Sequence, residues 1–121
     1  MITVDYKDRR PIYEQLTVNI TELALSGELK PDQQLPSVRQ LASQLGINPN
    51  TISKAYIELE RRGIVYSVSG KGSFVNSDLS FAAGNRLGEI EQKLRECANE
   101  ARLIGADKAR LLEIIEEEFE K

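Results

Sequence analysis

Between residues 35 and 75 the spacing of apolar and polar positions changes three times. Ser37 lies three residues before Gln40, the spacing of a capping box, and Val38, Leu41, Ala42 and Leu45 then recur on one helical face. Gly46 can supply the left-handed residue that closes this helix. Asn48 and Pro49 open another, because Asn caps well and Pro in the first helical position has a preset φ and no N–H to leave unpaired. Its inward side is Ile52, Ala55, Tyr56 and Leu59, and Gly63 ends it. Only Gly46, Ile47 and Asn48 separate the two helices, so they must meet at a steep angle. Beyond Gly63 the segment 64–68, rich in β-branched residues, and the segment 73–75 predict two strands around a tip of Ser69, Gly70, Lys71 and Gly72. Such a tip is an ordinary hairpin turn, but it is also flexible enough to approach a nucleic-acid backbone or minor groove, with Lys71 as its cation.

These elements outline a winged helix-turn-helix. With Ile52 placed inward and a step of about 100° per residue, Asn50, Lys54, Ile57 and Arg61 face outward, flanked by Thr51, Ser53 and Glu58. Amides, hydroxyls and cations are the groups that read base edges and phosphates in a major groove. On an isolated helix the same residues would be read as a solvated face; the neighbouring helix and wing favour the DNA reading.

Before this segment, residues 1–10 read as a short extended arm. Pro11 suits the first position of a helix in which Tyr13, Leu16, Ile20, Leu23 and Ala24 form an apolar stripe ending near Gly27. That stripe is expected to close the core behind the helix-turn-helix. Residues 28–34 predict a turn and a short strand able to pair with the wing. After it, residues 76–84 read as a linker, dividing the chain into a DNA-binding domain (1–76) and a helical region (77–121). In the latter, Leu87, Ile90, Leu94, Cys97, Ala101 and Ile104 step by three and four, an a/d seam of nearly three heptads. Gly105 ends that helix, and Asp107 can cap another carrying Leu111, Leu112, Ile114, Ile115 and Phe119. One helical hairpin in so small a chain cannot bury both stripes, so a symmetric homodimer is expected to pack them together. The alternative is a hairpin folded back on its own winged helix. Cys97, on the seam, is expected to be a small buried hydrophobe. Glu116, Glu117 and Glu118 point in different directions around a helix, so they predict a solvated face and no metal site.

Composition narrows the function. The 121 residues allow one compact domain with an appendage, and a hydrophobic content of 40% is enough to build a core. No apolar run is long enough to span a membrane and no secretory signal is visible, while one cysteine fits a reducing cytoplasm. The absence of His removes the usual general base and most zinc chemistry, so neither an enzyme nor a metal or cofactor site is expected. The net charge of −3 looks unfavourable for DNA binding until it is resolved along the chain. Residues 35–75 carry five cations (Arg39, Lys54, Arg61, Arg62, Lys71) against two acids (Glu58, Glu60). The acidic excess lies in the helical region, with eleven Asp or Glu against seven Lys or Arg in residues 77–121.

In order, "PIYEQL", "LPSVRQLA", "NPNTISKAYIELERRG" and "GKGSFV" resemble the DNA-binding domain of the GntR family of bacterial transcriptional regulators over residues 10–76. With about 45 residues remaining, the chain is similar to the small YtrA-like branch, whose C-terminal part is a short helical dimerisation element rather than a ligand-binding domain. The resemblance implies a mainly α fold with a small β-wing, and a cytoplasmic repressor bound as a homodimer to a palindromic double-stranded operator. Arg39 then falls where the family carries an Arg that touches DNA, and its planar fork suits bidentate contacts. Asn50, Thr51 and Ser53 are expected at bases or nearby phosphates, and Lys54 and Lys71 at the backbone. Ser37, Gly70 and Gly72 complete the candidate set. Asp32 departs from the family, which usually carries Gly there; Asp tolerates a left-handed turn better than most residues. Any small-molecule effector would have to bind between the dimerisation helices and the winged helix. The rival reading is a winged-helix protein-interaction module without specific DNA binding.

Overall fold

The computed structural model describes the whole chain, Met1–Lys121. The order is α1 (Ile12–Ser26), α2 (Val38–Leu45), α3 (Pro49–Arg61), β1 (Val65–Val68), β2 (Gly72–Val75), α4 (Ser80–Leu103) and α5 (Lys108–Phe119). It divides into two compact units, Met1–Gly84 and Asn85–Lys121.

In the first unit α1 packs on α3, and α2 on α3, around Leu16, Ile20, Leu41, Ile52, Leu59, Ile64 and Val75. The expected stripe of α1 is buried except at Tyr13, which is half-buried. Thr17 and Thr21 are buried on the same helix because each hydroxyl donates to the carbonyl four residues back, at 2.7 Å. Pro11 stands one position earlier than expected, at the N-cap, where its carbonyl accepts from the N–H groups of Glu14 and Gln15. Gln15 is buried by the extended arm: its Oε1 accepts from Asp5 N–H at 2.8 Å, and its Nε2 donates to the carbonyls of Asp5 and Arg10 at 3.0 Å. Asn19 likewise accepts from Thr3 N–H, so the arm is fastened to α1.

Each helix boundary of the helix-turn-helix takes its expected chemistry. Ser37 Oγ accepts from Gln40 N–H at 3.1 Å while Gln40 Oε1 accepts from Ser37 N–H at 2.8 Å, a complete capping box. Gly46 closes α2 with φ 67°, and Asn48 Oδ1 caps α3 through Asn50 N–H at 2.9 Å. All four inward residues of α3 are buried. Tyr56 donates its hydroxyl to the Pro36 carbonyl at 2.7 Å, and burial pushes the phenol pKa up to about 12. At the other end, the carboxylate of Glu58 accepts from Arg61 and from Arg62, and these bonds hold its pKa down at about 2.

The wing is an antiparallel pair with Val65 opposite Val75 and Val68 opposite Gly72. Tyr66 stacks on Phe74 with ring centroids 5.6 Å apart. The expected third strand is reduced to one bridge, Gln34 to Phe74, supported by Asp32 N–H to Val75 carbonyl and Leu35 N–H to Ser73 carbonyl, both 2.8 Å. Asp32 has φ 63°, in the left-handed region that Asp was expected to tolerate, and its carboxylate accepts the Tyr66 hydroxyl at 2.8 Å. That bond offsets part of the conformational cost of a side chain in this region.

One expectation fails here. The stretch 76–84 is not a linker throughout, because α4 begins at Ser80, where Asp78 accepts from both the N–H and the hydroxyl of Ser80. Leu79 and Ala82 pack into the core of the first unit, so burial overrides the weak helical signal around Gly84.

The second unit is an αα-hairpin whose turn holds Gly105 at φ 77° and whose second helix is capped by Asp107 through Ala109 N–H. None of its residues is fully buried. Leu87, Ile90, Leu94 and Leu112 are about half-exposed, Ala101 and Leu111 less so, and Ile104 and Phe119 are open. Cys97, expected to be buried, is exposed in the single chain, on a stretch of α4 whose residues 87–100 all lie in solvent.

Two stability outcomes follow. Ser37→Ala removes the acceptor of the capping box and should cost about 1 kcal/mol in urea denaturation. Because the Glu58 pKa falls from an ordinary 4.5 to about 2 on folding, the ion pair contributes above pH 4.5 and its contribution fades as the pH drops toward 2. Wild type should therefore exceed Glu58→Gln in stability at neutral pH, and the gap should close on acidification. A gap that persists unchanged down to pH 2 would contradict this.

Candidate nucleic-acid interface

Burial of Ile52, Ala55, Tyr56 and Leu59 leaves the opposite side of α3 in solvent. Asn50, Lys54, Ile57 and Arg61 are exposed, and Thr51 and Ser53 are half-exposed on the flanks. The first helical turn is the most polar part of this face. Asn50 spends its backbone N–H on the Asn48 cap, leaving its side-chain amide as an exposed donor and acceptor pair.

Arg39 projects from the first turn of α2 and shares a shallow surface hollow with Ser43, Gly46, Ile47 and Pro49. The structure thus brings Arg39 to the end of α3 that carries Asn50 and Thr51. Its guanidinium is exposed and enters no ion pair. Ser37, in the same turn region, is also exposed, but its hydroxyl oxygen is already used as the α2 cap.

At the wing, Lys71 N–H donates to the Val68 carbonyl at 2.9 Å, closing a turn with Gly70 at φ 75° in its third position. The Lys71 ammonium is exposed. Gly72 belongs to β2 rather than to the tip, and its glycine identity has a packing cause. A Cβ there would lie 3.1 Å from Gln34 Nε2, which donates to the Lys71 carbonyl at 2.7 Å, and φ is 115°. Gln34 thus braces the tip from the strand-like segment before α2.

The five cations along residues 35–75 are not equivalent. Arg61 and Arg62 bind the Glu58 carboxylate, so much of their charge is answered within α3. Arg39 and Lys71 have no ion pair, and Lys54 rests its ammonium 3.8 Å from the centre of the Tyr13 ring. Sequence reasoning assigned Tyr13 to the core and missed this contact. Their wide separation in the chain leaves no local spacing that could reveal it. Across the molecule, no group of three or more His, Cys, Asp or Glu is placed to hold a metal ion, and no helix is long and apolar enough to cross a membrane.

Comparison with known proteins agrees with this arrangement. Residues 12–75 match the profile of the bacterial regulatory proteins of the gntR family. The HTH-type transcriptional repressor YtrA of Bacillus subtilis (strain 168) is 40% identical over 119 residues, covering 97% of this chain and 91% of its own. A crystal structure described as a transcriptional antiterminator from Listeria monocytogenes EGD-e superposes with a TM-score of 0.81 at 35% identity, covering 97% of this chain and 88% of that one. The DNA-binding domain of AraR, solved in complex with operator ORE1, gives a TM-score of 0.53 at 33% identity over 62% of this chain and 92% of its own. With the family profile spanning the winged helix-turn-helix and a YtrA relative aligned along nearly the whole length, this chain belongs to the GntR family of helix-turn-helix transcriptional regulators.

Proposed function

We propose that the protein is a transcriptional repressor that binds a two-fold operator as a homodimer, with α3 in the major groove and the wing on an adjacent groove or phosphate. The single observation that carries this reading is the outward face of α3. It is polar, exposed and aligned with an Arg39 that has no ion pair, in a chain whose relative YtrA is described as a repressor and whose structural relative AraR is described in complex with an operator. In this reading Asn50, Thr51 and Ser53 meet base edges or nearby phosphates, and Arg39, Lys54 and Lys71 meet the phosphate backbone.

The homodimer is supported by the apolar surface of the second unit. Leu87, Ile90, Leu94, Leu112 and Ile115 are each 37–55% exposed in the single chain. Full burial of a side chain of this size is worth roughly 1.5–3 kcal/mol, so a second copy covering the seam would recover several kcal/mol. Cys97, Ala101, Ile104, Leu111 and Phe119 extend the same surface. A two-fold pair of α3 helices would in turn match two half-sites, doubling the cations offered to the DNA.

Selection of bound duplexes from a random pool should enrich a two-fold motif; enrichment of no motif would favour the protein-interaction reading. On the selected duplex, Asn50→Ala should relax discrimination by about 1–3 kcal/mol at one base pair per half-site. Lys71→Ala should weaken selected and random duplexes alike and lower the salt slope by about 0.9 for each phosphate that is no longer neutralised. Equal losses on both duplexes for both variants would contradict this division of roles.

A further inference from the structure

Three of the five cations of the helix-turn-helix and wing have no carboxylate partner, and among Arg39, Lys54 and Lys71 it is Lys54 that the protein itself holds. The holder is an aromatic face. Tyr13 sits in the first turn of α1, half-buried, on a helix fixed by the fully buried Leu16 and Ile20. Its ring therefore has little freedom to follow a moving partner. The Lys54 Nζ lies 3.8 Å from the ring centroid. The Tyr13 hydroxyl is not the anchor, because the attraction of an ammonium to a ring comes from the negative charge on the π face.

The chemical difference from Arg61 and Arg62 matters. A carboxylate that orders a cation also cancels its charge, as Glu58 does for those two residues. A ring orders a cation and leaves the net charge intact, and it occupies only one side of an ammonium that carries three N–H donors. Lys54 is thus pre-ordered while its charge stays available to an anion arriving from solvent. Holding a flexible lysine in place beforehand removes part of the ordering cost of binding.

We propose that Tyr13 is a positioning residue for DNA binding: its ring holds the Lys54 ammonium at the α1 side of α3, ready to receive a backbone phosphate. This rests on the reading of α3 as the DNA-facing helix. The contact would be made to phosphate and would carry no sequence information.

The test is a mutant cycle on the full-length protein, using a fluorescently labelled mixed-sequence duplex at low salt. Tyr13→Leu should weaken binding about two- to fivefold, the range expected of an exposed cation–π contact. Tyr13→Phe, which keeps the ring, should bind like wild type, and a trifluorinated phenylalanine at position 13, with the same shape and a depleted π face, should bind like Tyr13→Leu. In a Lys54→Met background none of the three changes should cost anything further. The proposal is overturned if Tyr13→Leu weakens binding as much without Lys54 as with it, since Tyr13 would then act through the fold. It is equally overturned if Tyr13→Phe loses as much as Tyr13→Leu, which would assign the effect to the hydroxyl. Should Tyr13→Leu fail to fold, the Phe and fluorinated pair decides alone, and equal affinity of that pair overturns the proposal. A wild-type protein that binds no duplex overturns the DNA reading itself, a result distinct from any pattern among the variants.

Discussion

Ile52, Ala55 and Leu59 are wholly buried on one side of α3, and Leu16 and Ile20 are wholly buried on the α1 that packs against it. This contact does more than supply apolar burial. A helix can be rotated about its own axis until such a stripe is engaged; once it is, every other azimuth is set. The exposure of Asn50, the half-exposure of Ser53 and the placement of Lys54 over Tyr13 all follow from that one rotational constraint. Tyr56 reinforces it, because turning α3 would pull its hydroxyl from the Pro36 carbonyl and leave a partly buried phenol unpaired.

The same packing governs how charge is distributed. A chain with net charge −3 can offer a cationic surface only if its acids lie elsewhere or are already engaged. Much of the acid is in residues 77–121, and of the two acids within α3 Glu58 is engaged by Arg61 and Arg62 while Glu60 accepts from the Ser67 hydroxyl. These pairs sit at the C-terminal end of α3, where cations also complement the helix dipole. What remains unneutralised is the Arg39, Lys54 and Lys71 set, one residue each from α2, α3 and the wing. The charge is small in amount and spread over three elements, an arrangement that makes the relative placement of those elements matter more than total charge.

Much of the winged helix-turn-helix was legible in the sequence because its signals are local. A capping box, an Asn-Pro start and glycines at helix ends each act within a few residues, and tertiary packing had no reason to overrule them. The turn at Asp32 was legible as well, since Asp tolerates the left-handed region and its φ is 63°. What local pattern could not show is the closing of contacts over long separations. The Asp32 to Tyr66 bond, the grip of Gln15 and Asn19 on the arm and the Lys54 to Tyr13 contact are all of this kind. The start of α4 was misjudged for a related reason. Ser77, Asp78, Ser80 and Gly84 break the helical period, but Ala82 gains a place in the core and Asp78 accepts from the N–H of Ser80 in the first turn.

The helical hairpin poses the opposite problem, since its sequence pattern is clear and its burial in the single chain is incomplete. Intrinsic propensity is a weak support for helices of this length, and most helical stability in proteins comes from packing an apolar face. Here that face remains largely open, with Phe119 86% and Ile104 79% exposed. The ion pairs along the hairpin, such as Arg110 with Glu113 and Glu117, are solvent-exposed and worth little individually. The seam is therefore the dominant unspent source of stabilisation in residues 77–121. In the proposed homodimer a two-fold axis would bring the same stripe of each copy together, so the stripe has to be complementary to itself, residue i of one copy meeting residue j of the other.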